Sequence, residues 1–260
     1  MKVLILHDAA AAIARAGEIV AGALAARPET VLGLATGGTM LPFYDDLVAR
    51  HEAGGISFAR ATTFNLDEYV GLSPDHPCSY HRYMREALFE RVDVDPARTH
   101  LPRGDAPDPQ AEAEAYEERI AAAGGIDLQI LGIGRNGHIG FNEPTSSLGS
   151  RTRIKTLTGD TRRANQRYFS SFEETPRLAI TTGVATILGA RAVLLLATGE
   201  TKAEAVARMV EGPLSASCPA SALQLHPDAT VVLDGGAAAM LTLRAYYETV
   251  HPGGRDVALG

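Results

Sequence analysis

Residues 128–144, LQILGIGRNGHIGFNEP, restrict the possible folds more than any other stretch. Leu128 to Ile133 reads as a short buried strand, and Gly132, Gly134, Gly137 and Gly140 interrupt or follow it. Glycine lets the backbone turn at positive φ and approach a ligand closely. Into that loop the chain places Arg135, Asn136, His138, Asn142 and Glu143, and then Pro144, which blocks a smooth helical start before it. A strand that empties into a polar, glycine-rich loop is the usual place for a site in an open α/β sheet.

Gly132, Gly134 and Gly137 also spell the G-x-G-x-x-G of a dinucleotide fingerprint. That fingerprint needs a helix directly after the loop, and here the loop runs on through His138, Phe141 and Pro144, so dinucleotide binding is set aside. His138 and Glu143 are more informative. An imidazole titrates near about 6.5 and can move a proton at neutral pH. A nearby carboxylate can hold its tautomer and raise its basicity. Taken alone, a loop histidine can equally be structural or merely solvated.

The remaining chain supplies the sheet that such a strand needs. Val3 to Leu6 reads as a first strand, followed by an Ala-rich helix capped by Asp8 and ended by Pro28. Val31 to Leu34 is a strand that delivers Thr36-Gly37-Gly38-Thr39 to a helix from Leu41 to Glu52. Helix-start N–H groups of this kind form an anion site, although TGGT by itself is as compatible with a tight turn. Ala61 to Asn65 is a third strand, ending in Leu66-Asp67-Glu68-Tyr69-Val70-Gly71-Leu72. Its adjacent acids are either solvated charge or a general base beside a second carboxylate.

Further helices are expected over Ser79–Val92, Pro109–Ala123, Asp160–Phe169 and Ala237–Glu248, and one from about Lys202 to Glu211. Asp93 to Asp108 reads as a surface excursion. Ala179–Thr182, Ala192–Ala197 and Val231–Leu233 are strands. Arg151, Arg153 and Lys155 alternate and would share one face of a strand, either around an anion or as a solvated edge that discourages aggregation. Strands alternate with helices almost throughout, and no Pro- or Gly-rich linker divides the 260 residues. The pattern predicts one domain over 1–260: a doubly wound, Rossmann-like α/β/α fold with a mostly parallel central sheet.

Composition narrows function by exclusion. A net charge of −7 disfavours a nucleic-acid binder. Cys78 and Cys218 form no disulfide framework or metal motif, so a reducing cytoplasm is the expected location. No apolar run of about 18 residues is read, so no membrane span is expected, and the N-terminus is too short in apolar residues for a signal peptide.

Three stretches together, LGLATGGT (Leu32 to Thr39), TFNLDEYVGL (Thr63 to Leu72) and LGIGRNGHIGFNEP (Leu131 to Pro144), resemble glucosamine-6-phosphate deaminase. SSLGSRTRIKTLTGDTRRAN (Ser146 to Asn165) and SALQLH extend the resemblance across nearly the whole chain. It implies conversion of glucosamine 6-phosphate and water to fructose 6-phosphate and ammonia in amino-sugar catabolism, with no metal or redox cofactor. The implied catalytic residues are Asp67 as base for the C2 proton and His138 as the shuttle for ring opening, supported by Asn136 and Glu143. An Asn at 136, where some family members carry Asp, is expected to orient the ring N–H through its amide oxygen. The implied phosphate contacts are Thr36, Gly37, Gly38 and Thr39, with Arg167 and Lys202 supplying charge.

In hexameric members an N-acetylglucosamine 6-phosphate activator binds at positions matching Ser146, Arg153, Lys155 and Thr156, with Tyr246 as a further match, so a homo-oligomer with such a site is expected. Two rivals share the implied fold. One is a 6-phosphogluconolactonase, which has no need of NLDEYVGL. The other is a sugar-phosphate sensor, which would need a DNA-binding segment, whereas this chain opens on its first strand.

Overall fold

A computed structural model describes residues 1–255. The first half runs β1 (Lys2–Leu6), α1 (Ala9–Ala26), β2 (Val31–Leu34), α2 (Met40–Glu52), β3 (Thr62–Asn65), β4 (Asp67–Tyr69), α3 (Tyr80–Ala87), β5 (Thr99–His100), α4 (Pro109–Ala122) and β6 (Leu128–Leu131), with all but β4 and β5 where the sequence predicts an element. Then follow β7 (Arg153–Thr156), α5 (Gly159–Asn165), β8 (Leu178–Thr181), α6 (Val184–Leu188), β9 (Ala192–Ala197), α7 (Ala203–Val210), β10 (Ala229–Asp234) and α8 (Arg244–Val250). Helix starts carry the caps their residues suggest. Asp8 accepts from the Ala11 N–H at 2.8 Å, Ser79 from Arg82 at 3.1 Å, and Asp108 from Gln110 and Ala111 at 3.0 and 3.1 Å. Two left-handed glycines, Gly124 and Gly125, follow α4 as expected of a C-terminal stop.

Seven strands form one parallel sheet in the order β1-β10-β9-β6-β2-β3-β5. The runs VLGL, LQIL and AVLLLA are buried almost throughout, because helices cover both faces. From β2 the chain winds outward through β3 to β5, then returns to the other side of β2 at β6 and winds toward β1. The direction of winding therefore reverses between β2 and β6. Loops leaving those two strands diverge there and open a crevice at the carboxyl ends.

A second sheet, antiparallel and ordered β4-β8-β7, was not foreseen as separate from the first. Leu66 is where the chain changes sheets. Its N–H donates to Leu34 of β2 at 3.0 Å, and its carbonyl accepts from Thr182, just after β8, at 2.7 Å. One residue later, Asp67 begins β4. The adjacent acids at the end of β3 thus open a buried strand and are not solvated charge, with Asp67 5% and Glu68 0% exposed.

Other expectations are corrected by tertiary contacts. Arg151 does not share a strand face with Arg153 and Lys155; it precedes β7 and pairs with Glu117 on α4. The helix expected over Ala237–Glu248 starts only at Arg244, because Glu211 takes the N–H groups of Thr242 and Leu243 at 2.8 and 2.9 Å. The helix expected to reach Val92 stops at Ala87, and a 3-10 turn covers Phe89–Arg91. Thr99 and His100, inside the supposed surface excursion, pair with β3. Contrary to expectation, α1 is long and apolar enough by length and composition to cross a membrane. Its buried stripe of Ala12, Ala16, Val20 and Leu24 packs on β1, β9, β10 and α2, the role of a core helix. Both cysteines are free.

Candidate active site

The crevice at the winding reversal opens into a cavity of about 1160 Å³. Its walls come from the loop after β2, from β4, from the start of α3, from the loop after β6, from α5 and the turn that follows it, and from the start of α7. Thr36, Gly37, Gly38, Thr39, Asp67, Asn136, His138, Arg167 and Lys202, nine of the ten residues expected at the catalytic and phosphate sites, line it. Glu143 does not line it: the side chain is 1% exposed and stands behind His138.

The loop after β2 turns at Gly37 (φ +117°) into the N-terminus of α2. Thr39 holds the N-cap position, yet its hydroxyl makes no capping hydrogen bond. Free N–H groups and an uncommitted hydroxyl at a helix start suit an anion. Cations stand beside them. A Cβ on Gly38 would lie 3.4 Å from Nη2 of Arg167, so Arg167 reaches the loop itself. Lys202 Nζ donates to the Ile133 carbonyl at 2.7 Å, which ties it to the loop after β6. Burial, followed by the charges of Arg135 and Arg167, lowers the pKa of Lys202. Among the described residues no carboxylate pairs with Arg135, Arg167 or Lys202. Arg135 was seen in the sequence without a role; its place one residue before Asn136 in a site loop was the available signal. Arg163 also lines the cavity but is paired with Asp160.

Asp67 lines the same cavity. Burial, and then the negative charge of Glu68, push its carboxyl up to about 8, against hydrogen bonds from the Phe141 N–H and the Thr181 hydroxyl. A carboxylate poised near neutrality can take and return a proton. Gly140, at φ +54°, passes so close that a Cβ there would lie 3.2 Å from Oδ2 of Asp67.

The loop after β6 folds on itself to present His138. Gly134 N donates to the His138 carbonyl and Gly137 N to the Gly134 carbonyl, both at 2.9 Å. A Cβ on Gly134 would lie 2.3 Å from the imidazole, so this position admits only glycine while the ring stays in place. His138 Nδ1 lies 3.4 Å from Oε2 of Glu143, ion-pair range but longer than a good hydrogen bond. Burial would push the Glu143 carboxyl up. The imidazole of His138 beside it, with Thr161 and Asn136, outweighs burial and holds the group down at about 2. Asn136 acts differently from the expectation. Its amide nitrogen donates to Glu143 at 2.8 Å, and its oxygen accepts from the backbone N–H of His138 at 3.1 Å. Glu143 only accepts, so the amide must turn its NH₂ that way, and Nδ1 of His138 stays within ion-pair range of the carboxylate without a hydrogen-bond partner.

The expected activator residues are only partly assembled. Ser146 is buried and its Oγ has no partner. Arg153 gives Nη1 to the Asn142 side chain at 2.9 Å while Nη2 is buried without one. Lys155 lies on the same strand, and burial, followed by Arg153, lowers its pKa. Thr156 is exposed. Tyr246 is not brought to them within the chain: it is 62% exposed on α8, which packs against β1 at the far edge of the large sheet.

The sequence matches the family described as glucosamine-6-phosphate isomerases/6-phosphogluconolactonase over residues 6–233. It is 56% identical over 248 residues to a glucosamine-6-phosphate deaminase of Hahella chejuensis, covering 95% of each chain. A solved structure described as a monomeric glucosamine-6-phosphate deaminase superposes with a TM-score of 0.90 at 47% identity, covering 92% of this chain and 100% of that one. The 6-phosphogluconolactonase of Trypanosoma cruzi shares the fold alone, with a TM-score of 0.75 at 20% identity over 93% of this chain and 97% of that one. With a buried, proton-poised Asp67 sharing a cavity with a cationic helix start, and relatives at this identity along nearly its whole length, the chain belongs to the glucosamine-6-phosphate deaminase family.

Proposed function

We infer that this chain converts glucosamine 6-phosphate and water to fructose 6-phosphate and ammonia, with Asp67 as the base. The observation that carries the reading is the carboxyl of Asp67, buried and pushed up to about 8, inside a cavity that is also lined by a cationic helix start suited to an anion. The phosphate lies on the N–H groups of Gly37, Gly38 and Thr39, with Arg167 and Lys202 adding charge. His138, held by Glu143, protonates the ring oxygen as the sugar opens. Asp67 then removes the C2 proton, giving an enolamine, and returns it at C1 to give the ketimine. Water adds at C2, its oxygen becomes the ketone, and the nitrogen leaves as ammonia. A lactonase would need a base for water attack but no proton transfer between adjacent carbons.

A coupled assay tests this. Glucosamine 6-phosphate is supplied with EDTA present, and ammonia and fructose 6-phosphate are followed together. Equal release of both is expected, falling about 10²- to 10⁴-fold in Asp67→Asn. Lactone hydrolysis without ammonia would overturn the reading.

The finer parts of the reading are an activator site and assembly. Buried, unpartnered Ser146 Oγ and Arg153 Nη2 support a sugar-phosphate activator at Ser146, Arg153, Lys155 and Thr156. Exposed Leu225, Met240, Leu243 and Tyr246 offer apolar surface for a homo-oligomer, which would have to bring Tyr246 in from another copy. N-acetylglucosamine 6-phosphate is added as a further arm of the assay, beside sedimentation; a rate curve it does not alter, from a monomer, would remove both. The free cysteines agree with a cytoplasmic location.

A further inference from the structure

Glu68 is the most completely buried carboxylate next to the site, and the mechanism does not use it. Its exposure is 0%, and it collects four donors. Oε1 accepts from the Tyr69 N–H at 2.8 Å and the Tyr80 N–H at 3.1 Å. Oε2 accepts from the His81 N–H and from His81 Nδ1, each at 3.0 Å. Tyr80, His81 and Arg82 are the first three residues of α3, whose N–H groups have no partner within the helix. Glu68 takes the first two and Ser79 takes the third. A negative charge at this end also suits the helix dipole.

The helix so held lines the cavity through Tyr80 and Tyr83 and reaches the loop after β2. Tyr83 Oη donates to the Gly37 carbonyl at 2.8 Å. The Tyr80 hydroxyl donates to that of Tyr69 at 3.2 Å and accepts from the Thr36 side chain. Thr36 and Gly37 both belong to the loop that opens α2. A continuous run of contacts therefore joins the residue beside the base to the anion-binding loop: Glu68, the start of α3, Tyr80 and Tyr83, then Thr36 and Gly37. The loop at Gly104 closes over Glu68 so tightly that a Cβ there would lie 2.1 Å from the Tyr69 carbonyl and 3.1 Å from Cγ of Glu68.

We propose that Glu68 is a positioning residue for the deaminase reaction: it clamps α3, and through Tyr80 and Tyr83 sets the distance between the phosphate loop and the base at Asp67. The inference rests on the deaminase reading above. It has an electrostatic consequence as well, since Glu68 is a near negative neighbour of Asp67. The groups facing this pair are Tyr69 on β4, Tyr80 and His81 on α3, Tyr116 on α4, and Asp105 near His81. Removing the Glu68 charge lowers the Asp67 pKa, so the ionised base persists to lower pH.

The test measures KM and the acid limb of kcat/KM in Glu68→Gln, Glu68→Asp and Tyr83→Phe, beside wild type and Asp67→Asn. Glu68→Gln is expected to raise KM about tenfold and to move the acid limb to lower pH. Glu68→Asp keeps the charge but loses reach, so KM rises with the limb nearly in place. Tyr83→Phe cuts only the link to Gly37 and raises KM a few-fold with the limb unmoved. A merely structural clamp would lower the melting temperature of Glu68→Gln and leave both kinetic readouts alone, and that result overturns the proposal. Should Glu68→Gln not fold, Tyr83→Phe decides, and a wild-type KM there overturns it. No turnover by wild type removes the deaminase reading and this inference together, whereas a working wild type with an unaltered Glu68→Gln removes only the inference.

Discussion

Asp67 and Glu68 are neighbours of one chemical type placed in different roles by the backbone. Successive residues of a strand point to opposite faces, so β4 sends one carboxylate to the cavity and the other to the start of α3. The sequence showed the pair but not the division, because that depends on Leu66 changing sheets. His138 and Glu143 were legible, since a tight glycine loop brings them together from nearby positions. The direction of the Asn136 amide was not, because it is set by the acceptor it meets. Glu143 yields a prediction at this scale. It is held at about 2, below its ordinary 4.5. A depressed carboxylate stabilises the fold fully above pH 4.5, and that stabilisation is lost as pH falls through 2. Glu143→Gln should therefore be less stable than wild type at pH 6, with the deficit shrinking toward pH 2, as measured by urea unfolding at stepped pH. It should also lose about 10²-fold in kcat, because the His138 ring is no longer held. A deficit independent of pH would show that the ion pair is not its source.

At the scale of elements, the parallel strands were legible because each is a short apolar run ended by turn residues. The small antiparallel sheet was not, because its strands are far apart in sequence and its pairing is decided by tertiary contacts. Arg151, Arg153 and Lys155 read as one charged face, yet Glu117 captures Arg151 before the strand begins. The joint between β8 and α6 depends on Gly183 for space rather than for backbone freedom, since its φ is −73°. A Cβ there would lie 2.0 Å from the Ser150 carbonyl oxygen and 2.4 Å from that of Arg151. Backbone cannot step aside as a side-chain tip can. Gly183→Ala is expected to destabilise by about 3 kcal/mol, the upper end for overpacking. Thermal unfolding checks this, and an unchanged melting temperature would mean that the 150–151 segment yields freely.

At the scale of the molecule, the reversal of winding between β2 and β6 explains why residues from distant parts of the chain share one cavity. Sequence pattern gave the α/β class and put each expected loop at a strand end, but strand order decides which ends are neighbours, and no local signal carries it. That order, with β6 beside β2, comes from the topology. The account stands on one claim: a buried carboxyl at Asp67, pushed up by burial and by Glu68, is the base. The most direct measurement is the pH dependence of kcat/KM for glucosamine 6-phosphate in the wild type, corrected for titration of the substrate's own amine and phosphate. An acid limb near pH 8 is expected, with activity rising as Asp67 ionises. An acid limb near pH 4, where an ordinary carboxylate titrates, would contradict it.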